Sequence, residues 1–141
     1  MSFLAIIWIN LLSFNTDSSI PKTSEEITQL SAPVLYIFIG SDWCADCKRL
    51  EKNVLSDSVF ISTMKLNKIA IEIIDFPQRK KLSPDVVKHN ETIAESYGFQ
   101  GIFPTLVLSR SKDKYETLQY KNEAAAEFSE IVLNKLKYLN E

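Results

Sequence analysis

The run Val34-Leu35-Tyr36-Ile37-Phe38-Ile39, preceded by Pro33 and closed by Gly40, is apolar at every position. A strand that wets one face alternates apolar and polar side chains, whereas an unbroken apolar run is covered on both faces. The chain must therefore build packing layers on both sides of the sheet that holds this run, which excludes a one-faced sheet and predicts helices above and below it. From Ala45 the pattern turns helical. Leu50 and Val54, with Leu55 at the edge, fall on one side, and Lys48, Arg49, Glu51 and Lys52 on the other.

The remaining segments supply those layers. Ser56-Asp57-Ser58 offers cap residues ahead of Val59, Phe60 and Met64, a second short helix. The β-branched stretch from Ile69 to Asp75 reads as a second strand. Pro77 to Leu82 is a basic, polar loop, and Ser83-Pro84-Asp85 combines an N-cap, a proline at the first helical position and an acid in the first turn. That helix should run to about Tyr97, with Gly98 as its left-handed cap. Leu106-Val107-Leu108 reads as a third strand, Ser109 to Lys114 as a polar turn and Tyr115 to Tyr120 as a fourth strand. Asn122 is the expected cap of a last helix, in which Ala125, Phe128, Val132, Leu136 and Leu139 form a core stripe. The order predicts an α/β fold: a mixed central sheet with a parallel βαβ part, an antiparallel hairpin and helices on both faces. Such a sheet presents its reactive loop at the C-terminal end of a strand.

With 141 residues, 45% of them apolar, the chain fits one globular domain, assigned to residues 21–141. Residues 1–20 read as a signal peptide or short anchor, because Phe3 to Phe14 is almost wholly apolar and a polar stretch follows; about a dozen apolar residues are too few to span a bilayer as a helix. No Lys or Arg precedes that run and no Ala-x-Ala site follows it. Ser24 to Leu30 reads as a further short helix. A net charge of -2 with dispersed lysines argues against nucleic-acid binding. Two cysteines and a single histidine build neither a disulfide framework nor a zinc site, and three scattered glycines make no phosphate loop. Neither metal nor cofactor is expected.

Cys44 and Cys47 are the only cysteines, and they lie where the strand hands over to the helix. Two intervening residues let both sulfurs meet within one helical turn, the first exposed at the helix N-terminus and the second one turn inside, which is the arrangement of a redox dithiol.

Trp43-Cys44-Ala45-Asp46-Cys47-Lys48 after a buried strand, with Phe103-Pro104-Thr105 before a later one, resembles the thioredoxin-like thiol:disulfide oxidoreductases over roughly Val34 to Leu139. Gly40-Ser41-Asp42-Trp43-Cys44 with its Ala45-Asp46 insert is similar to the exported branch, the periplasmic Dsb-type disulfide reductases, including the DsbH type. The resemblance implies a thioredoxin-like fold, Cys44 as attacking thiolate and Cys47 as resolving thiol. It also implies a cis bond at Pro104, with Phe103 backbone groups and the Trp43 ring meeting an extended substrate. Ala45 and Asp46 would tune the redox poise, the Asp46 carboxylate disfavouring the Cys44 thiolate and so favouring a reductant. Lys48 and Arg49 oppose this but should point to solvent. The implied partners are disulfide-containing protein substrates and a protein electron donor, membrane-borne if the leader directs export. The compartment would then be periplasmic, and cytoplasmic if the leader is no signal; a monomer is the default.

The chain also departs from that pattern. Thioredoxins carry a buried acid six residues before the first cysteine, and here that position is Phe38. Glu72 is the best substitute by type, although strand alternation equally puts it on the surface. The stretch from Cys47 to Pro104 is longer than in a minimal thioredoxin by roughly fifteen residues, a size usual for a functional loop. His89 reads as a surface or packing residue, and Asn90-Glu91-Thr92 as a chance match to a glycosylation acceptor. The rival functions are a disulfide oxidant or isomerase, and a non-catalytic binding module in which the disulfide staples the helix start.

Overall fold

The computed structural model describes residues 31–141, so the apolar leader and the Ser24 to Leu30 helix lie outside the described residues. Strands β1 (Val34–Ile39), β2 (Ala70–Asp75), β3 (Thr105–Ser111) and β4 (Lys114–Leu118) form one sheet in the order β2-β1-β3-β4. β1 runs parallel to β2 and antiparallel to β3, which pairs antiparallel with β4. The mixed sheet and its hairpin are those expected.

Alternation along the central strand sorts the side chains into two layers. Leu35, Ile37 and Ile39 point to the larger core, shared with α1 (Ala45–Leu50), α2 (Ser58–Leu66) and α4 (Ala125–Tyr138) through Leu50, Phe60, Met64, Phe128 and Val132. Phe38 points to the other face and packs with Ile74 and Val107 beneath Ile93, Ala94 and Tyr97 of the α3 (Pro84–Ser96) region. β1 is thus covered on both sides, as its composition requires. Among the described residues no helix is long and apolar enough to cross a membrane.

Three local readings need correction. α1 does not continue as a regular helix but passes into a π turn, Glu51–Leu55, closed by the Ser56 amide donating to the Glu51 carbonyl at 2.9 Å. Ser109 to Lys114 is not a turn: β3 runs on to Ser111 and only Lys112 and Asp113 turn the chain. A buried serine is tolerated there because its hydroxyl is satisfied twice, accepting from the Tyr97 hydroxyl at 2.8 Å and donating to the Ser111 carbonyl at 2.9 Å. Asn122 does not cap α4; it takes a left-handed conformation (φ 68°) in the preceding turn, and Ala124 holds the N-cap position without a side-chain bond.

Candidate active site

Everything around the cysteines follows from how β1 ends. The Gly40 carbonyl accepts from the Trp43 amide at 3.2 Å and the Cys44 amide at 2.9 Å, a tight turn that delivers the chain into α1. The Trp43 indole lies across Gly40, where a Cβ would come within 2.3 Å of the ring, so no other residue fits unless the ring moves. Cys44 is the N-cap, in extended conformation (φ -80°, ψ 112°), and its Sγ accepts the Cys47 amide at 3.2 Å. The two cysteines form a disulfide. Cys44 is only 6% exposed and Cys47 1%, so the expectation of an openly exposed first sulfur is too strong: both belong to the larger core, and Phe103 packs against that core.

The Phe103–Pro104 peptide bond is cis. Phe103 meets the edge of Trp43 at 5.2 Å between ring centroids and those of Phe99 and Phe76 at 5.0 and 5.9 Å, joining the cysteine side of the sheet to the α3 side. Its backbone N–H and C=O have no hydrogen-bond partner among the described residues. Trp43, at 37% exposure, and the Phe103 ring against it leave an apolar rim beside the disulfide.

Three side chains to which the sequence assigned no part in the site hold this loop. Asp75, at the end of β2, accepts from the Ser41 amide at 2.9 Å and the Ser41 hydroxyl at 2.6 Å. Asn90, buried on α3, donates to the Asp75 carbonyl at 2.7 Å. Asp42 accepts the amides of Gln78, Arg79 and Lys80 at 2.9, 2.7 and 2.9 Å, and the Trp43 indole N–H donates to the Phe76 carbonyl at 2.9 Å. The Gln78 amide, joined by those of Lys80 and Arg79 and by the Arg79 charge, holds the Asp42 carboxyl at about 2. A carboxyl lowered on folding stabilises the loop above its ordinary value near 3.8 and loses that effect as pH falls through about 2. Asp42→Ala should therefore speed amide hydrogen exchange selectively at Gln78, Arg79 and Lys80 at neutral pH, and unchanged exchange there would refute the clamp.

Ala45 and Asp46 lie exposed on the first turn of α1, and Asp46 is ion-paired with Arg49, so the acid meant to oppose the thiolate carries its own counter-charge. Glu72 is excluded as a proton acceptor for Cys47. It stands opposite Tyr36, on the α3 face of the sheet, and bonds the His89 ring at 2.6 Å, with both side chains about half exposed. Phe38 occupies the same far face. His89 is a surface residue, as read, and Asn90 is buried by its bond to Asp75, which bars it as a glycosylation acceptor in the folded chain.

No protein-family model matches the chain. The disulfide bond reductase DsbH of Chlamydia pneumoniae is 28% identical over 96 residues, covering 68% of this chain and 57% of that protein, so the chain spans little more than half the length of this curated relative. The solved structure of a DsbH oxidoreductase superposes with a TM-score of 0.69 at 25% identity, covering 78% of this chain and 76% of the other. The C-terminal domain of Neisseria meningitidis DsbD in its reduced form shares the fold, with a TM-score of 0.52 at 19% identity over 77% of this chain and 84% of that domain.

Proposed function

We propose that this chain, a thioredoxin-like protein of the Dsb type, is a thiol:disulfide oxidoreductase that reduces protein disulfides in an exported compartment. The observation that carries the reading is the Cys47 amide directed at the Cys44 sulfur at 3.2 Å. In the reduced protein the same amide donates to a Cys44 thiolate, and the start of the helix favours that anion by about 0.3–1 kcal/mol, under one pKa unit.

The Cys44 thiolate attacks one sulfur of a substrate disulfide, breaking its S–S bond, forming a mixed disulfide and releasing one substrate thiolate. Cys47 then gives up its proton and attacks Cys44 Sγ, releasing the second substrate thiolate and closing the Cys44–Cys47 bond. Two electrons pass from the dithiol to the substrate, and a protein dithiol, membrane-borne in an exported setting, returns them. With Phe38 at the position of the family's acid and Glu72 on the far face, the Cys47 proton leaves to water or to the departing thiolate. The free backbone groups of Phe103 and the Trp43 ring are suited to an extended substrate segment. The reducing direction is supported by the relative described as a reductase and by Asp46, whose ion pair with Arg49 keeps its influence small.

Equilibration of the cysteine pair with glutathione, alongside insulin reduction driven by dithiothreitol, tests this. A potential near about -270 mV with insulin turnover is expected. A value near about -120 mV would make the protein an oxidant. No exchange at all would leave a binding module with a stapled helix.

A further inference from the structure

Arg79, Lys80 and Lys81 form a run of exposed cations in a chain whose net charge is negative. A charge run is ordinarily a solvated face. This one is different because its backbone is pinned to the cysteine loop: Asp42 accepts from the amides of Gln78, Arg79 and Lys80, and the Trp43 indole N–H donates to the Phe76 carbonyl. The clamp is built from main-chain groups, and of the cationic heads Arg79 adds its charge to it while Lys81 makes no hydrogen bond among the described residues. The Lys80 ammonium comes within 3.4 Å of the Ser41 hydroxyl, three residues before Cys44 and so within roughly 11 Å of chain path, close to one screening length.

Of the nearby carboxylates only Asp46 is ion-paired, with Arg49; Asp42 and Asp75 keep their charge, since their hydrogen bonds come from neutral amides and the Ser41 hydroxyl. Among the described residues the ion pairs are Arg49–Asp46, His89–Glu72 and Lys135–Glu116, so Arg79, Lys80, Lys81 and Lys48 stand in none of them, while the Arg79 charge also acts on Asp42. A cavity of about 210 Å³ opens beside the run, with Phe76, Pro77, Leu82 and Val87 as an apolar floor and Lys80 on its rim. The same lining carries the carboxylates Asp75, hydrogen-bonded to Ser41, and Glu91.

We propose that Arg79, Lys80 and Lys81, held beside the disulfide by Asp42, form a cationic docking rim that selects protein disulfides flanked by acidic residues. This rests on the reductase reading and names its substrate class. Acidic flanks gain from the field of the rim, and basic flanks are repelled by it.

The test uses three synthetic disulfide peptides that differ only in flanking Glu, Gln or Lys, reduced by the protein with dithiothreitol as electron donor at about 0.05 M and about 0.5 M salt. At low salt kcat/KM for the Glu peptide should exceed that for the Lys peptide about tenfold, and at high salt the two should converge to within about twofold. The triple variant Arg79→Glu/Lys80→Glu/Lys81→Glu should invert the order. Should that variant fail to fold, the salt dependence of the wild-type preference decides. Equal rates for the three peptides at low salt, with the Gln peptide still reduced, would overturn the rim and leave the reductase standing. No reduction of the Gln peptide would overturn both.

Discussion

Cys44→Ser abolishes disulfide exchange, whereas Cys47→Ser halts it halfway with substrate attached. Insulin reduction by the first variant should fall to the dithiothreitol background, a loss of at least about 10³-fold, because a hydroxyl at neutral pH cannot replace a thiolate nucleophile. The second variant retains the sulfur that accepts the helix amide but lacks the thiol that resolves, so a mixed disulfide through Cys44 should accumulate and be visible by mass spectrometry without reductant. The asymmetry separates chemistry from architecture. If the bond merely stapled the helix start, both substitutions would remove the same short cross-link and cost the same stability. For a sequence separation of 3 that cost is about 2 kcal/mol. Equal stability losses with no trapped substrate from either variant would refute the catalytic reading.

The direction of the asymmetry follows from exposure. Cys47 is 1% exposed and Cys44 6%, and the proposed mechanism accordingly has the substrate disulfide meet Cys44 first. Neither is open in the oxidised protein, and Trp43 with the Phe103 ring against it forms the rim beside them.

What could be read in the sequence was contiguous. The six apolar residues of β1, the cysteine spacing and Phe103-Pro104 each lie within a few positions, and each declares its own geometry. The loop's anchors could not be read in this way, since Ser41 meets Asp75 across 34 residues and Asp42 meets Gln78, Arg79 and Lys80 across 36 to 38. Asp42 carried a faint signal as an acid beside a turn, but only the parallel pairing of β1 with β2 brings both strand ends to one edge, where the two loops meet. The same pairing decided Glu72: alternation left two faces open, and the register opposite Tyr36 chose the one away from Cys47. Asn122 misled because it takes another local option of asparagine, a left-handed turn before α4, and Ser109 because its preference for turns yielded to a tertiary partner, the Tyr97 hydroxyl. Asp46 could be read as a first-turn acid, yet its effect depends on Arg49 at the next turn, a pairing the spacing permitted but did not require.

Phe38→Asp, which restores the acid that thioredoxins carry at this point, should destabilise this protein by at least about 3–5 kcal/mol at neutral pH, a large share of a typical folding free energy of about 5–15 kcal/mol. Phe38 is 0% exposed, stacked on Phe99 at 4.6 Å and packed with Ile74 and Val107, so the substitution removes a ring and puts a carboxylate among apolar side chains. Burial raises the pKa of such a carboxyl above its unfolded value near about 3.9. The folded variant then holds its proton to higher pH than the unfolded chain does. The penalty is accordingly smallest below about pH 4 and grows as pH rises towards the raised value. Guanidinium unfolding of Phe38→Asp and Phe38→Leu across pH 3–8 measures this, the leucine variant serving as the control without a titrating group. A Phe38→Asp protein as stable as the parent at neutral pH, and resolving its mixed disulfide faster, would show that position 38 reaches water and that Cys47 is one substitution away from an internal base. The stacked ring predicts the reverse: this scaffold gave the far face of β1 to aromatic packing with Phe99, and in the proposed mechanism Cys47 resolves without a buried carboxylate behind the strand.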